Sequence, residues 1–241
     1  RSALLGPLTL HLAKACQGGW EELVSIEGLE PSDEGVVQLE LEGLDPDSVY
    51  NLALAEQDGE LRSQVGRFRT ALAPTASRVV RFGATSCLGE DDKPWPSLSR
   101  ASEERLDFFL LGGDTIYADG ADSLDDFRAH WRDSLEQQGL RDLSASTSLI
   151  ATWDDHELTN NWDWGASGRL ERFSAAIESF GESLPWRPGP GGTGLWRRLS
   201  WGRTLDVFVL DCRGEREDGH YISPDQMDWL KDELAASTAR F

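Results

Sequence analysis

The sequence predicts an α/β layered sandwich over residues 75–241, preceded by a small all-β sandwich module over residues 1–74. Three observations carry this expectation. Short segments before residue 74 alternate apolar and polar side chains with period two, as half-buried strands do. After Arg78, compact apolar runs are separated by stretches of helical periodicity, the pattern of an α/β domain with a partly parallel sheet. Two of those runs stop at acidic side chains, and open α/β sheets place their ligand sites at the carboxyl ends of their strands.

In chain order, residues 8–12 and 36–41 are the first alternating strands, and Gly43-Leu-Asp-Pro-Asp47 is a turn cluster. Residues 49–54 form another strand, residues 57–59 a turn, and residues 66–70 the returning strand. Strands at this spacing suggest a sandwich. The order Gly43-Leu-Asp-Pro, Tyr50, Gly66-Arg-Phe-Arg-Thr70 resembles the second half of a fibronectin type III-like module. Residues 73–77 read as a linker. Strands are then expected at 79–87, 106–111 and 148–153. Between the last two, Leu124, Phe127, Trp131 and Leu135 recur at helical spacing. Phe173, Ile177 and Phe180 mark another helix, stopped near Pro185. A glycine-rich loop at 188–194 leads to a hairpin, 195–200 and 204–210, turning at Trp201 and Gly202. For the last helix, Ser223 is the N-cap, Pro224 sits at N1, Gln226 completes a capping box, and Met227, Leu230 and Leu234 form the buried stripe.

The 241 residues carry a net charge of −20. So acidic a chain is a poor match for nucleic acid, whose phosphates call for Lys and Arg. It suits cation binding. No apolar run approaches the roughly 18 residues of a membrane helix. Three widely spaced cysteines make no disulfide framework, and four scattered histidines are too few for a histidine-rich zinc site. A bound metal would therefore need mostly oxygen ligands, which favour hard cations, while thiolate or phenolate would favour iron. The chain starts at Arg1 without a leader and stops abruptly at Phe241, so both ends are expected to be cut.

The residues with chemical potential cluster at the expected strand ends. Asp114 follows two glycines, which let a ligand approach the backbone. Taken singly it would serve equally as a helix cap; Tyr117, three residues on, adds a phenolate able to ligate a trivalent metal. Asp154 and Asp155 are adjacent, so in extended chain only one faces any given side. His156 beside them could protonate a leaving group or stabilise developing charge. Cys87 ends the first α/β strand, at the same sheet end as Asp114 and Asp155 if the strands are parallel. Arg213 and Arg216 follow the last strand and could hold phosphate oxygens bidentately, or pair with nearby carboxylates. The acidic loop 119–126 reads as a solvated lid and helix start. Trp153, Trp162 and Trp164 could wall a pocket.

Ala84-Thr-Ser-Cys87, Gly112-Gly-Asp-Thr-Ile-Tyr117, Trp153-Asp-Asp-His-Glu157 with Asn160-Asn161, Leu210-Asp-Cys-Arg213 and Gln226-Met-Asp-Trp-Leu230 occur in that order. The set resembles the PhoD-like alkaline phosphatase family, within the calcineurin-like metallophosphoesterases. The resemblance implies a metallophosphoesterase-like layered sandwich, here incomplete. It implies iron and calcium, with Cys87 and Tyr117 holding iron, Asp114 bridging, and Asp155 (rival Asp154) on the second metal. It puts His156 in the catalytic-histidine position, Arg213 beside the phosphate, and Asn160 and Arg216 on the substrate. It implies hydrolysis of phosphate mono- or diesters by a metal-activated oxygen nucleophile, and an exported location. The family also ends in strands bearing a Gly-Asp-x-His motif. None occurs in residues 1–241, so the chain is expected to be an amino-terminal portion that alone binds metal poorly and hydrolyses little. The competing expectation is a non-catalytic binding protein built on a degenerate phosphoesterase-like domain.

Overall fold

The computed structural model describes residues 6–32, 34–56, 63–167 and 169–241. The amino-terminal region forms one antiparallel sheet from β1 (Leu8–Cys16), β2 (Gly19–Leu29), β3 (Val49–Glu56) and β4 (Gly66–Arg69), in the order β2-β1-β3-β4. Period two sets its inner face: Leu8, Leu10 and Leu12 of β1 are buried beside Tyr50, Ala53 and Ala55 of β3. Tyr50 stacks on Phe68 of β4 and accepts a hydrogen bond from the Asp45 amide on its hydroxyl.

The expected strand at 36–41 does not form. Both edges of β1 are taken, one by β3 and the other by β2, which the sequence pattern did not reveal. Residues 36–41 run beside the sheet without joining a ladder, and Leu39 stays 44% exposed. Among the described residues, a second sheet to complete a sandwich over 1–74 is absent. The turn expected at 57–59 lies outside the described residues.

The linker region is pinned to its neighbours. Arg78 donates to both oxygens of Asp107, at 2.9 and 2.6 Å, and to Asp47 at 2.7 Å. Leu72, just before the linker, is buried with Phe108, Ile150, Trp201 and Val209.

The second region holds a three-stranded parallel sheet, β5 (Phe82–Thr85), β6 (Phe108–Gly112) and β7 (Ser148–Thr152), in that order. Parallel pairing brings the three carboxyl ends to one edge. β5 is shorter than the sequence suggests; just past its carboxyl end Cys87 turns out of extended backbone at φ 55°. One face of the sheet is covered by helices. These are α1 (Pro96–Ser102), α2 (Leu124–Glu136), α3 (Gln138–Ser146) and α5 (Leu170–Ser183), with the short α4 (Trp164–Ser167) preceding α5. Their core contains Phe109, Leu111, Phe127, Trp131, Leu143, Trp153 and Phe180. Full burial stabilises by about 1.5–3 kcal/mol for each Leu or Phe. Ser123 and Asp126 close a reciprocal capping box at the start of α2.

The other face packs Phe108 and Ile150 on the hairpin of β8 (Arg197–Trp201) and β9 (Leu205–Val209). The chain closes with α6 (Pro224–Ala236). Ser223 caps it by accepting from the Gln226 amide. The expected capping box and stripe are not what form. The Gln226 side chain is fully buried and bonds the Asp211 backbone, while Met227 is 39% and Leu234 53% exposed. The helix is anchored through Gln226 to the loop after β9, and it packs Trp229 against Phe208 of the hairpin.

Candidate metal centre

β6 and β7 end side by side, Gly112 opposite Thr152, and the loops that follow touch at backbone distance. Gly113 has φ 104°, and a Cβ there would lie 2.4 Å from the Asp154 amide nitrogen, so only glycine fits. Asp114 follows in the left-handed region at φ 53°, a conformation that costs a non-glycine residue about 1–3 kcal/mol.

Glu157 holds this junction. Its Oε2 accepts from the Asp114 and Asp154 amides, both at 3.0 Å, and its Oε1 from the Thr115 amide at 2.6 Å. Burial pushes its carboxyl up to about 7, against the pull of those three amides.

Asp114 is 5% exposed. It accepts from the Cys87 thiol at 3.3 Å and from the His156 amide at 3.3 Å. Asp155, 6% exposed, is ion-paired with Arg213 Nη2 at 3.3 Å and accepts from the Asn161 amide. One oxygen from each of these carboxylates and a ring nitrogen of His156 lie within 4.8 Å of one another. Asp154 points elsewhere, into an ion pair with Arg213 Nε. Of the two adjacent aspartates, therefore, Asp155 joins the cluster.

His156 Nδ1 lies 2.9 Å from Asp119, and its ring packs tilted against Tyr117, centroids 4.3 Å apart. Burial opposes protonation of the imidazole, but the Asp119 carboxylate outweighs it and raises the pKa. Burial raises the Asp114 carboxyl; the Cys87 and His156 hydrogen bonds offset part of this, and the Asp154 and Asp155 charges add to it. The Ser86 hydroxyl pulls the Cys87 thiol down, yet burial and Asp114 together push it up. Tyr117 is pushed up to about 12 by burial and then by the surrounding acids. Negative charge is crowded here beyond what the protein itself neutralises. Two carboxylates and an imidazole, with a thiol and a phenol at the rim, are a donor set that suits one or more metal ions.

Arg213 borders the cluster and keeps Nη1 buried with no hydrogen-bond partner among the described residues. Asn160 is exposed at the rim; its amide donates to Asp119 at 2.6 Å and its side chain accepts from Asn161. Arg216 is turned toward Asp163, at 3.4 Å, and lies over the Tyr221 ring, so it does not join the cluster.

Residues 82–241 match the family model described as PhoD-like phosphatase. The chain belongs to the PhoD-like phosphatase family. It is 26% identical over 263 residues to alkaline phosphatase D of Bacillus subtilis (strain 168), an alignment covering 89% of this chain and 45% of the relative. Its fold is similar to the solved structure titled "Structure of PhoD", with TM-score 0.83, 24% identity, and 97% of this chain and 54% of that one covered. A purple acid phosphatase from yellow lupin seeds, Lupinus luteus, shares the fold more distantly, at TM-score 0.57 and 14% identity, over 98% of this chain and 47% of that one. The chain thus spans about half the length of these relatives.

Two residues of this PhoD-like site escaped the sequence reading. Asp119 stood in a loop read as solvated, yet it holds His156 and Asn160 from about 40 residues away. Glu157 was visible as part of a motif, but its partner amides lie 42 and 43 residues upstream and three residues back.

Proposed function

We propose that the chain contributes to metal-dependent hydrolysis of phosphate esters, monoesters and diesters both being candidates. The observation that carries this reading is the convergence of Asp114, Asp155 and His156 at the carboxyl ends of β6 and β7, with Arg213 alongside. In this reading Cys87 and Tyr117 would hold iron, Asp114 would bridge, and Asp155 would hold the second metal. Such ions polarise a phosphoryl oxygen and make water more acidic.

The chain's own groups do the remaining work. The unpartnered Nη1 of Arg213 is a buried donor that a phosphoryl oxygen would satisfy. His156, oriented by Asp119, would deliver a proton to the leaving oxygen. Asn160 sits at the rim, where an ester would enter; Arg216, with Tyr221, would flank it farther out. Residues 1–74 would act as a separate β module beside the phosphatase region, 75–241.

The test is metal content together with turnover of an aryl phosphate monoester and diester, measured in the full-length protein. Bound iron or calcium, and turnover lost in Asp114→Asn, are expected. A protein with neither metal nor turnover would favour the non-catalytic binding role.

A further inference from the structure

We propose that Glu157 is the positioning residue that sets the metal affinity of this site, by locking the Asp114 and Asp154 backbones into one rigid junction. The inference rests on the metal-dependent reading above, and concerns a residue that would touch neither metal nor substrate.

Successive backbone N–H groups around a left-handed residue form a concave nest for an anion. Asp114 and Thr115 make such a nest, and the anion in it is the side chain of Glu157. The same carboxylate reaches across to the Asp154 amide, on the loop that continues into Asp155. One buried group thus ties the β6 end to the β7 end. A left-handed aspartate persists where its surroundings over-determine it. Here they are Glu157 on one side and the Gly113–Asp154 contact on the other. Released from the nest, Asp114 would relax toward ordinary backbone and swing its carboxylate away from Asp155 and His156.

The geometry makes Glu157→Gln a selective lesion. Both oxygens of Glu157 accept backbone donors. Whichever way a carboxamide turns, its NH2 group faces at least one backbone N–H. Volume is kept and the junction is lost. Groups that orient a metal site from outside typically change metal affinity by about 10–100-fold when altered.

The experiment titrates metal-free full-length protein with Mn2+ by calorimetry and follows denaturant unfolding in EDTA. Wild type is compared with Glu157→Gln and Asp107→Asn. Asp107 is another buried carboxylate, at the opposite, amino end of β6, so it controls for loss of stability alone. The expected result is Mn2+ affinity weakened about 10–100-fold in Glu157→Gln and unchanged in Asp107→Asn. Wild-type affinity in Glu157→Gln would overturn the proposal and leave the metal-site reading standing. No Mn2+ binding by wild type would overturn both. Should Glu157→Gln fail to fold, Glu157→Asp keeps the charge but falls short of one strand end. Its affinity is expected to drop several-fold, and wild-type affinity there would equally overturn the role.

Discussion

Asp114 and Asp211 each follow an apolar run, and each is buried, 5% and 0% exposed. Their surroundings differ. Asp211 is saturated: one oxygen accepts from Trp153 Nε1 at 2.7 Å and from the Arg213 and Gly214 amides, the other from the Thr193 hydroxyl. Its raised carboxyl reflects burial, which every surrounding donor opposes. Asp114 has two weak donors at 3.3 Å, and neighbouring Asp154 and Asp155 charges reinforce its shift. Burial of a carboxylate therefore does not mark a site. Unused acceptor capacity among like charges does. Asp211 is a hub that joins β7, the 193 loop and α6; Asp114 keeps spare acceptor capacity, which the proposed metal would use.

That contrast can be broken experimentally, and the largest effect belongs to Asp114. If metal stabilises the reaction's charge by several kcal/mol, Asp114→Asn should lower turnover of the full-length protein on the order of 10^3-fold. In EDTA the same variant should unfold no earlier than wild type, because it removes a crowded negative charge. A fall in its melting temperature would show that Asp114 is a structural carboxylate like Asp211.

Metal addition comes next in size. A cation at 100 times its Kd should stabilise wild type by about 2.7 kcal/mol, read as a rise in the denaturant midpoint. The rise should vanish in Asp114→Asn. Asp211→Asn should instead cost about 1.5–3 kcal/mol of stability in EDTA, since hydrogen bonds to a charged acceptor are worth that much. An unchanged midpoint there would remove the contrast.

The smallest effect concerns pH. Burial raises the Asp107 carboxyl, but Arg78 and the Arg81 amide outweigh it and hold the pKa below the usual range. With a depressed folded value, its stabilisation is present above the unfolded pKa of about 3.9 and is lost as pH falls through the folded value. Acid unfolding of Asp107→Asn should accordingly show a shallower loss below pH of about 4. An acid limb as steep as wild type would contradict the clamp between Arg78 and Asp107.

The strand ends were legible because their chemistry is local: an apolar run, then Gly112-Gly-Asp114 or Trp153-Asp-Asp-His156. Parallel pairing then had little freedom in where to put them. The amino-terminal sheet was less legible. β2 carries Glu21, Glu22, Leu23 and Val24 all exposed, with register shifts against β1, so its alternation is blurred. Residues 36–41 alternate cleanly and still form no strand, since a period of two does not reveal whether a segment will pair with a neighbour. Asp119 and Gln226 were misread for a related reason. Their sequence neighbourhoods suggest solvent and a helix cap, while their partners lie far along the chain. Asp155 could be separated from Asp154 only once its carboxylate was seen to lie with Asp114 and His156.

The most direct test of the central claim is anomalous X-ray diffraction from crystals of the full-length protein grown with iron and calcium. The account predicts metal density within about 2.0–2.6 Å of carboxylate oxygens of both Asp114 and Asp155. A well-ordered cluster in which Asp114 and Asp155 contact only protein and water, with metal absent or bound elsewhere, would contradict it.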